Sequence, residues 1–363
     1  MALIRRLALG LATALALLAC SAGIASAAGN HRSGGEHRAL GAAQGIYWGA
    51  WIGPQLTGEQ PPWDMSAATR FGRLLGKRPS LLEFSQPFAN CGESCESMPF
   101  PTAEMTAIRK FGSIPLLSWG SQANGAPLVQ PEYTMAGIAA GSQDAYVRSF
   151  AEAAKAWGHP FFLRFNWEMN GNWFPWGART NGNTPATIVA AWRHVHDIFT
   201  QVGATNATWV WCPYADSTGR FGNLSRFYPG NRYVDWTCLD GYNWGTNAVN
   251  PAPWRSFDQI FGASYAQLTK KIAPGKPVML GEVASNGSAR IKSRWIRQMF
   301  KAIAQRYQQV RALAWFDQSD RDLNWSLETS PQVLKAFSRG IHSRSFQAAR
   351  FGALNGSPIP PPR

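Results

Sequence analysis

The sequence predicts an α/β fold, a single (β/α)8 barrel of the TIM type. From residue 44 onward, short apolar runs alternate about eight times with turn-forming residues and helical patterns, which is typical of βαβ units around a parallel sheet. The 363 residues are 45% hydrophobic and 13% aromatic, enough to bury a large core. The first apolar run is not followed by a glycine-rich phosphate fingerprint, which disfavours a dinucleotide-binding doubly wound sheet.

The predicted strands are eight apolar runs, each followed by residues that favour turns. In chain order they are Gly45–Trp51, Ser80–Ser85, Ile114–Trp119, Phe161–Glu168, Ala207–Cys212, Thr237–Asn243, Pro277–Glu282 and Arg311–Phe316. A count of eight fits a closed barrel, in which the carboxyl ends of the strands converge on one face. Residues at those ends are therefore the first candidates for a functional site.

Between the strands, apolar residues recur at helical spacing. Three of these patterns are Tyr146, Phe150, Ala154 and Trp157; Ile188, Ala191, Trp192, Val195 and Phe199; and Ile291, Trp295, Met299, Ile303 and Tyr307. Thr184-Pro185 and Ser330-Pro331 each place a capping residue before a proline that opens a helix. We expect Trp192 and Trp295, on helix faces, to belong to the core.

The N-terminus has the order of a secretory signal, with arginines, an apolar run and then small residues. The run is too short to span a bilayer. Ala25-Ser26-Ala27 is typical of a signal-peptidase site, which predicts a signal peptide over residues 1–27. Leu17-Leu18-Ala19-Cys20 resembles a bacterial lipobox that would leave Cys20 acylated, so a lipid anchor stays open beside simple cleavage, which we favour.

The remaining chain divides into a flexible lead-in over residues 28–41, the barrel domain over 42–345 and a C-terminal tail over 346–363. With 35 Lys and Arg against 21 Asp and Glu, the formal net charge is +14. The basic residues are scattered rather than clustered, which together with export argues against a nucleic-acid partner. We expect a monomer that is secreted or periplasmic, with no transmembrane segment.

The five cysteines suggest a small number of bridges in an oxidising compartment. Cys91 and Cys95 enclose three residues in a turn-rich segment, which predicts a local disulfide. Cys212 and Cys238 lie at the ends of predicted neighbouring strands, where they either pair or remain as two buried thiols. No spacing of cysteine and histidine indicates a zinc site.

Two glutamates lie at predicted strand ends, Glu168 after the fourth strand and Glu282 after the seventh. In a barrel these ends face each other across the mouth. Carboxyl groups about 5 to 5.5 Å apart are what retaining glycoside hydrolysis requires, one protonated as the acid and one ionised as the nucleophile. The alternative is that either glutamate caps a helix or pairs with Arg164.

Long segments follow several predicted strands and would wall the carboxyl face into a groove suited to a polymer. They are Asn90–Pro101, Ser121–Gly141, Asn172–Asn183, Asp216–Asp235 and Gly245–Pro253. Glu83, Asp240 and Asp317 also lie at strand ends, where they either bond sugar hydroxyls or, as we favour, pair with other side chains.

The segment from Glu168 to Gly177, EMNGNWFPWG, resembles the acid/base segment of glycoside hydrolase family 26. That family contains many β-mannanases and some mixed-linkage β-glucanases. The resemblance implies a (β/α)8 barrel of the retaining clan, with the acid/base after strand four and the nucleophile after strand seven. The clear match covers strands four, six, seven and eight, whereas residues 44 to 140 match only by their pattern.

Carried onto this sequence, the resemblance implies that Glu168 is the acid/base, Glu282 the nucleophile and Tyr242 the tyrosine that orients the nucleophile. Arg164 would steady a carboxylate below the sugar, and Trp315 would be the aromatic platform under it, extended along the cleft by other tryptophans. The predicted substrate-binding residues are Arg164, Asn166, Trp167, Trp173, Trp176, Trp244 and Trp315.

One departure bears on the substrate. Many family members have histidine directly before the acid/base, whereas this chain has Trp167. The family histidine touches the sugar or a catalytic carboxylate, so its replacement weakens the prediction of mannan as the substrate.

The sequence therefore predicts an exported, retaining endo-β-glycanase that hydrolyses internal β-1,4 linkages of mannan or glucomannan and requires no metal or organic cofactor. The alternatives are a mixed-linkage β-1,3-1,4-glucanase, a hydrolase of a bacterial exopolysaccharide, a transglycosylase using the same glutamates, and a non-catalytic carbohydrate-binding barrel.

Overall fold

A closed ring of parallel strands organises the part of the chain described by the computed structural model, which comprises residues 45–215, 221–245, 253–320, 323–346, 351 and 354–362. The strands are β1 (Tyr47–Ile52), β2 (Leu81–Cys91), β3 (Cys95–Ser97), β4 (Ile114–Asn124), β5 (Phe161–Phe165), β6 (Ala207–Trp211), β7 (Trp236–Asn243), β8 (Val278–Ser285), β9 (Val310–Asp317), β10 (Ser319–Asp320) and β11 (Leu323–Asn324). β1 pairs with both β2 and β9, which closes the order β1-β9-β8-β7-β6-β5-β4-β2. The predicted (β/α)8 barrel is confirmed.

Helices follow seven of the eight barrel strands, β4 being followed by two, whereas the described residues between β6 and β7 contain only 3₁₀ turns. They are α1 (Met65–Leu75), α2 (Thr102–Phe111), α3 (Met135–Ala139), α4 (Asp144–Trp157), α5 (Pro185–Val202), α6 (Phe257–Gln267), α7 (Ala289–Arg306) and α8 (Pro331–Ile341). A π-helical turn, Leu268–Ile272, extends α6. Short 3₁₀ turns lie at Pro54–Leu56, Pro131–Tyr133, Leu224–Phe227, Asn231–Tyr233 and Leu327–Thr329.

The predicted helix starts are confirmed at α5 and α8. The Thr184 side chain accepts a hydrogen bond from the Thr187 amide, and Ser330 accepts one from Val333, so each cap satisfies an amide that has no partner within the helix. Trp192 and Trp295 lie in the core, as predicted, because each points from its helix toward the barrel.

Four predicted strands end three or more residues away from their predicted ends. β8 runs on to Ser285, so Glu282 lies within that strand rather than at its end. The fourth predicted strand, β5, ends at Phe165 rather than at Glu168, since Asn166 and Glu168 adopt left-handed backbone with φ of 44° and 52°. β2 and β4 run past the barrel and stay paired as far as Asn90 and Asn124. β3 folds back against β2, so part of the predicted Asn90–Pro101 loop is a hairpin.

Two disulfides join neighbouring strands. Cys91 pairs with Cys95 across the β2–β3 hairpin, which confirms the predicted local bridge. Cys212, directly after β6, pairs with Cys238 on β7. Of the two outcomes that the sequence left open for this second pair, the structure has the bridge.

Several predicted segments lie outside the described residues: the signal peptide over 1–27 with Cys20, the lead-in over 28–41, and parts of two cleft walls at 216–220 and 246–252. The boundaries of the 42–345 domain stay a prediction. Within the predicted 346–363 tail, the carbonyl of Ile359 accepts a hydrogen bond of 2.8 Å from Trp236 on β7. None of the helices in the described ranges has the length and apolarity needed to cross a membrane.

Candidate active site

The carboxyl ends of the barrel strands surround an open cleft of about 600 Å³, within the usual range of about 300 to 1,000 Å³ for ligand sites. Arg164, Glu168 and Glu282 are the charged residues among its described lining. The rest of the lining is Ser85 and nine aromatic residues, Trp51, Trp167, Trp173, Phe174, Tyr214, Tyr242, Trp244, Phe316 and Trp325. Flat apolar faces around a few charged groups suit a sugar polymer.

Glu168 reaches the cleft because the chain turns sharply after β5. The left-handed backbone at Asn166 and Glu168 ends the strand, and the Glu168 amide donates to the Cys212 carbonyl over 2.7 Å. Glu168 is 6% exposed. The indole N–H of Trp173 donates to its Oε2 over 2.5 Å and so fixes the direction of the carboxyl group.

Glu282 lies within β8, on the other side of the cleft. The Tyr242 hydroxyl donates to its Oε2, and the Arg164 guanidinium donates to its Oε1. These donors fit an ionised carboxylate, which only accepts hydrogen bonds. The residue before Glu282 has to be glycine, because a Cβ at Gly281 would lie 2.5 Å from the sulfur of Cys238 and 2.9 Å from Nη1 of Arg164.

The two carboxyl groups are neighbours. Glu168 and Glu282, together with Asp240, each place one carboxylate oxygen within 4.8 Å of the other two. Glycoside hydrolases that invert configuration separate their carboxyl groups by about 6.5 to 9.5 Å to admit a water, whereas retaining enzymes hold them about 5 to 5.5 Å apart. The nearest oxygens of this pair are closer together than the carboxyl groups of the inverting class.

Arg164 is the buried centre of the cleft floor. Its Nη1 donates to both oxygens of Asp240 over 2.9 and 2.8 Å, and its Nη2 donates to Glu83 and Glu282. Burial by itself would lower the pKa of Arg164, but the three carboxylates outweigh it and raise that pKa. Arg164 is therefore a fixed positive charge that orients Glu282.

Glu83 and Asp240 pair with Arg164 and do not line the cleft, so the favoured expectation of structural pairing is confirmed for both. Asp317 likewise accepts from the Leu327 amide over 2.7 Å and from the Gln55 side chain over 3.1 Å. Ser118 links the cluster, since its hydroxyl donates to Glu83 and accepts from Arg164 Nε.

Burial and nearby charge raise the pKa of two residues that line the cleft, Glu168 and Tyr242. Burial, followed by the charge of Glu282, raises the pKa of Glu168 to about 8, and the hydrogen bond from Trp173 only partly offsets this. Burial and then the charge of Glu282 raise the pKa of Tyr242 well above its usual value. At neutral pH Glu168 therefore carries a proton, and Tyr242 keeps the O–H that it donates to Glu282.

Arg164, Trp167, Trp173 and Trp244 line the cleft, so the structure brings these predicted substrate-binding residues together with the two glutamates. Trp173 has the most open face, 43% exposed. The ring of Trp167 lies 5.2 Å from the Arg164 guanidinium carbon and thus covers the charged floor. Their binding roles remain predictions.

The prediction that Trp315 is the sugar platform is wrong. Its side chain is fully buried, its ring packs on Trp295 and Phe337, and its N–H donates to the Trp325 carbonyl. Successive residues of a strand point to opposite faces, so Trp315 faces the helices while the next residue, Phe316, faces the cleft.

Trp176 and Asn166 are also misassigned as binding residues, because neither lines the cleft. Trp176 is fully buried, donates to the Trp167 carbonyl over 2.6 Å and stacks on Phe174. Asn166 is 2% exposed, and both ends of its amide bond Ser121 over 2.8 Å. Both side chains shape the turn that presents Glu168.

Sequence reasoning missed five aromatic lining residues, Trp51, Phe174, Tyr214, Phe316 and Trp325. Trp51 and Phe316 had a usable signal, since both lie at predicted strand ends; their rings stack at 5.9 Å. Tyr214 and Trp325 lie beyond the ends of predicted strands, so whether they face the cleft depends on how the loops fold.

Glu168, Asp240 and Glu282 have the donor chemistry of a cation site as well as of an acid–base pair. Arg164, however, donates to both Asp240 and Glu282, and its fixed charge at this position disfavours a divalent cation. A second cluster, Cys212, Cys238 and Asp240, has its sulfurs in a disulfide. That no metal or organic cofactor is required remains a prediction.

Comparisons with known proteins agree with this geometry. The family model described as glycosyl hydrolase family 26 matches residues 144–331, just over half of the chain. The chain belongs to glycosyl hydrolase family 26. The matched region contains Glu168, Tyr242 and Glu282.

Among similar proteins, the chain is 34% identical over 304 residues to Endoglucanase H of Acetivibrio thermocellus, a match that covers 83% of this chain and 31% of that protein. It is 32% identical over 158 residues to Mannan endo-1,4-beta-mannosidase A and B of Caldalkalibacillus mannanilyticus, covering 41% of this chain and 26% of that protein. The chain thus spans about a third or less of the length of these relatives.

Solved structures share the fold. The catalytic domain of the Bacillus sp. JAMB-750 GH26 endo-β-1,4-mannanase superposes with a TM-score of 0.65 at 18% identity, covering 84% of this chain and 88% of that one. A Cellulomonas fimi endo-β-1,4-mannanase double mutant gives a TM-score of 0.61 at 18% identity, with 84% and 72% covered.

Proposed function

We propose that this chain is an exported, retaining endo-β-glycanase that hydrolyses internal β-1,4 linkages, with Glu282 as nucleophile and Glu168 as acid/base. One observation carries the proposal. Glu168 and Glu282 place carboxylate oxygens within 4.8 Å of each other; burial raises the pKa of Glu168 to about 8, and Tyr242 and Arg164 donate hydrogen bonds to Glu282.

In the first step, an oxygen of Glu282 attacks the anomeric carbon while Glu168 gives its proton to the leaving glycosidic oxygen. The C–O bond to the leaving sugar breaks, and a glycosyl ester forms on Glu282. In the second step, Glu168, now a carboxylate, takes a proton from a water as that water attacks the same carbon. Glu282 leaves as a carboxylate and Glu168 is protonated again.

The surrounding groups serve these steps. Tyr242 and Arg164 hold the Glu282 carboxylate in one orientation, which limits the reorganisation needed for attack. Asp240 and Glu83 fix Arg164 in turn. These two are positioning residues, because they act through Arg164 and lie outside the cleft lining.

A β-glucan, including mixed-linkage glucan, is the first candidate for the substrate. The relative named Endoglucanase H matches 83% of the chain, and Trp167 replaces the histidine found before the acid/base in many family members. Mannan or glucomannan is the second candidate, supported by three relatives named as mannan endo-1,4-beta-mannosidases. Both polymers present neutral sugar rings to the same aromatic walls.

Export is supported by the signal-like N-terminus and by the two disulfides, which persist in oxidising compartments. Cleavage after Ala27 would release the chain, whereas acylation at Cys20 would anchor it to the envelope. The mass of the mature N-terminus distinguishes the two.

The test measures oligosaccharide release by the purified protein from mixed-linkage β-glucan, glucomannan, galactomannan, xylan and β-1,3-glucan. We expect release from at least one of the first three, lost in Glu282→Ala and kept in Glu152→Ala, an exposed glutamate of α4 that serves as the matched control. Proton NMR of the first products should show the β anomer. Binding without release from any of the five would contradict hydrolysis, and an initial α anomer would contradict retention.

A further inference from the structure

A second depression continues the cleft beside the β2–β3 hairpin. It has a volume of about 270 Å³ and shares Ser85 and Trp167 with the main cleft, so the two spaces adjoin. None of its described lining residues is charged. A ligand in it would therefore be neutral and in contact with a ligand in the main cleft.

Trp63 offers an open aromatic face in this depression. It is 52% exposed, the most exposed tryptophan among the large exposed apolar residues of the described chain. Its ring is nevertheless held, because it meets Phe84 edge-on at 6.1 Å and Phe84 is buried. The next residue, Asp64, caps α1 by accepting from the Ser66 amide over 2.8 Å. A rigid exposed ring binds a flat apolar face with little loss of conformational entropy.

Amide side chains at the ends of the two extended strands, β2 and β4, line the same depression as Trp63. Asn90 of β2 and Asn124 of β4 are opposed in register, and Asn124 Nδ2 donates to Asn90 Oδ1 over 3.1 Å. This single bond leaves an N–H₂ group on Asn90 and a carbonyl on Asn124. Gln122 lines the same space. Amides both donate and accept, as sugar hydroxyls do.

The β2–β3 hairpin, which carries Asn90, forms one wall of the depression. Asn90 opposes Glu96 of β3 directly beside the Cys91–Cys95 disulfide, which closes the hairpin. Gly125 lets β4 end against it, since its φ is +85° and a Cβ there would lie 2.6 Å from the Cys91 carbonyl oxygen. The positions of the amides are thus set before any ligand binds.

We propose that this depression is a distal glycosyl subsite, in which one neutral sugar unit of a β-glycan stacks on Trp63 and hydrogen-bonds Asn90, Asn124 and Gln122. The inference rests on the proposed function, because the sugar would belong to the chain whose linkage is cut between Glu168 and Glu282. A chain long enough to reach Trp63 gains binding energy that a short oligosaccharide does not. The subsite therefore makes turnover depend on chain length.

The test compares kcat/KM for a hexasaccharide and a trisaccharide of the backbone that the wild-type protein cleaves. We expect the hexasaccharide-to-trisaccharide ratio to fall about tenfold in Trp63→Ala and to fall also in Asn90→Ala/Asn124→Ala. Trp63→Phe, which keeps a flat ring, should retain most of the ratio. Trp254→Ala is the matched control, since Trp254 is 40% exposed in a separate groove beside α6 and α7.

A wild-type ratio in folded Trp63→Ala and in the asparagine double variant would overturn the subsite while leaving the hydrolase standing. If the wild-type protein cleaves none of the glycans, the proposed function fails and calorimetric binding of each hexasaccharide becomes the test. A tenfold loss of affinity in Trp63→Ala, absent from Trp254→Ala, would then support a sugar site. Equal affinity, or no binding, would overturn it.

Discussion

The proton on Glu168 sets the pH range of the proposed reaction. A carboxyl group whose pKa is raised to about 8 stays protonated up to that pH and loses its proton above it. Because the first step needs the protonated form, kcat/KM should be constant near neutrality and fall tenfold per pH unit above about pH 8. Glu168→Gln should lower kcat about 10² to 10⁴-fold. A profile whose alkaline limb begins below pH 6 would contradict the assignment of Glu168 as the acid.

Trp173 tunes that acid. Its indole N–H bonds the Glu168 carboxylate, an interaction that lowers the pKa of Glu168 against the larger effect of burial. Trp173→Phe removes the donor and keeps an aromatic ring, so the pKa should rise and the alkaline limb of kcat/KM should move upward by about one pH unit.

The control for Trp173→Phe is Trp244→Phe. Trp244 lines the same cleft, but its N–H donates to Tyr214 rather than to a glutamate. Its replacement should change KM and leave the limb in place. A shift of the limb to lower pH in Trp173→Phe would show that the hydrogen bond favours the acid form instead.

The individual site residues were predictable from sequence to different degrees. Glu168, Glu282 and Tyr242 lie at or near the carboxyl ends of predicted strands, and a barrel brings all such ends to one face, so their proximity could be foreseen. Trp315 and Phe316 are adjacent, and choosing between them required the strand register, which one residue reverses. Trp176 was equally ambiguous, because a tryptophan in a loop packs inward or outward according to neighbours that only the fold defines.

Helix α7 supports the cleft from behind through Lys292. This side chain is fully buried, and its ammonium donates to the carbonyls of Asn324 and Ser326, on either side of Trp325. The Trp325 ring in turn lies 5.3 Å from that of Tyr242. Burial lowers the pKa of Lys292 to about 8, although the charges of two nearby carboxyl groups oppose the change.

Lys292→Met should therefore destabilise the protein by about 3 to 5 kcal/mol, because two carbonyls and the nearby Asp317 lose a buried cation. It should also raise KM more than it lowers kcat, since Trp325 is released from its position. Lys301→Met, on the exposed side of the same helix, should change stability by no more than about 0.5 kcal/mol. Thermal unfolding and steady-state kinetics measure both effects, and equal behaviour of the two variants would rule out the positioning role.

Periodicity located the secondary structure well where local signals are strong. The capped starts of α5 and α8 agree with Thr184-Pro185 and Ser330-Pro331, because a cap and a proline act within one turn. The extension of β2 and β4 beyond the barrel was missed, since it depends on pairing between segments about 30 residues apart and on β3 folding back. Because this extension of β2 and β4 forms a wall of the proposed distal subsite, the part of the fold that the sequence did not predict bears on the proposed function.

Different residues determine the barrel and the site at its mouth. Eight strands and their helices follow from alternating apolar runs, a pattern that many chemistries share. The chemistry proposed for this chain depends on the groups at the strand ends, two glutamates around Arg164 and an aromatic wall. The substrate is therefore decided by loops and strand ends rather than by the barrel.

The two disulfides should differ in their contribution to the stability of the barrel. Cys212 and Cys238 are 26 residues apart and link β6 to β7, whereas Cys91 and Cys95 are four apart within one hairpin. The entropy of closing a loop in the unfolded chain grows with its length, which predicts a loss of about 3.5 kcal/mol for Cys212→Ala/Cys238→Ala and about 2 kcal/mol for Cys91→Ala/Cys95→Ala.

Denaturant unfolding of the two double variants, with and without reductant, measures these losses. Reductant should bring the wild-type protein below either double variant, and each double variant should respond only through its remaining bridge. The hairpin variant should also lower the hexasaccharide-to-trisaccharide ratio, because Asn90 depends on that bridge, while the β6–β7 variant should affect both substrates alike. Equal stability losses would contradict the loop-length argument. An unchanged ratio in the hairpin variant would show that the distal subsite does not depend on the Cys91–Cys95 disulfide.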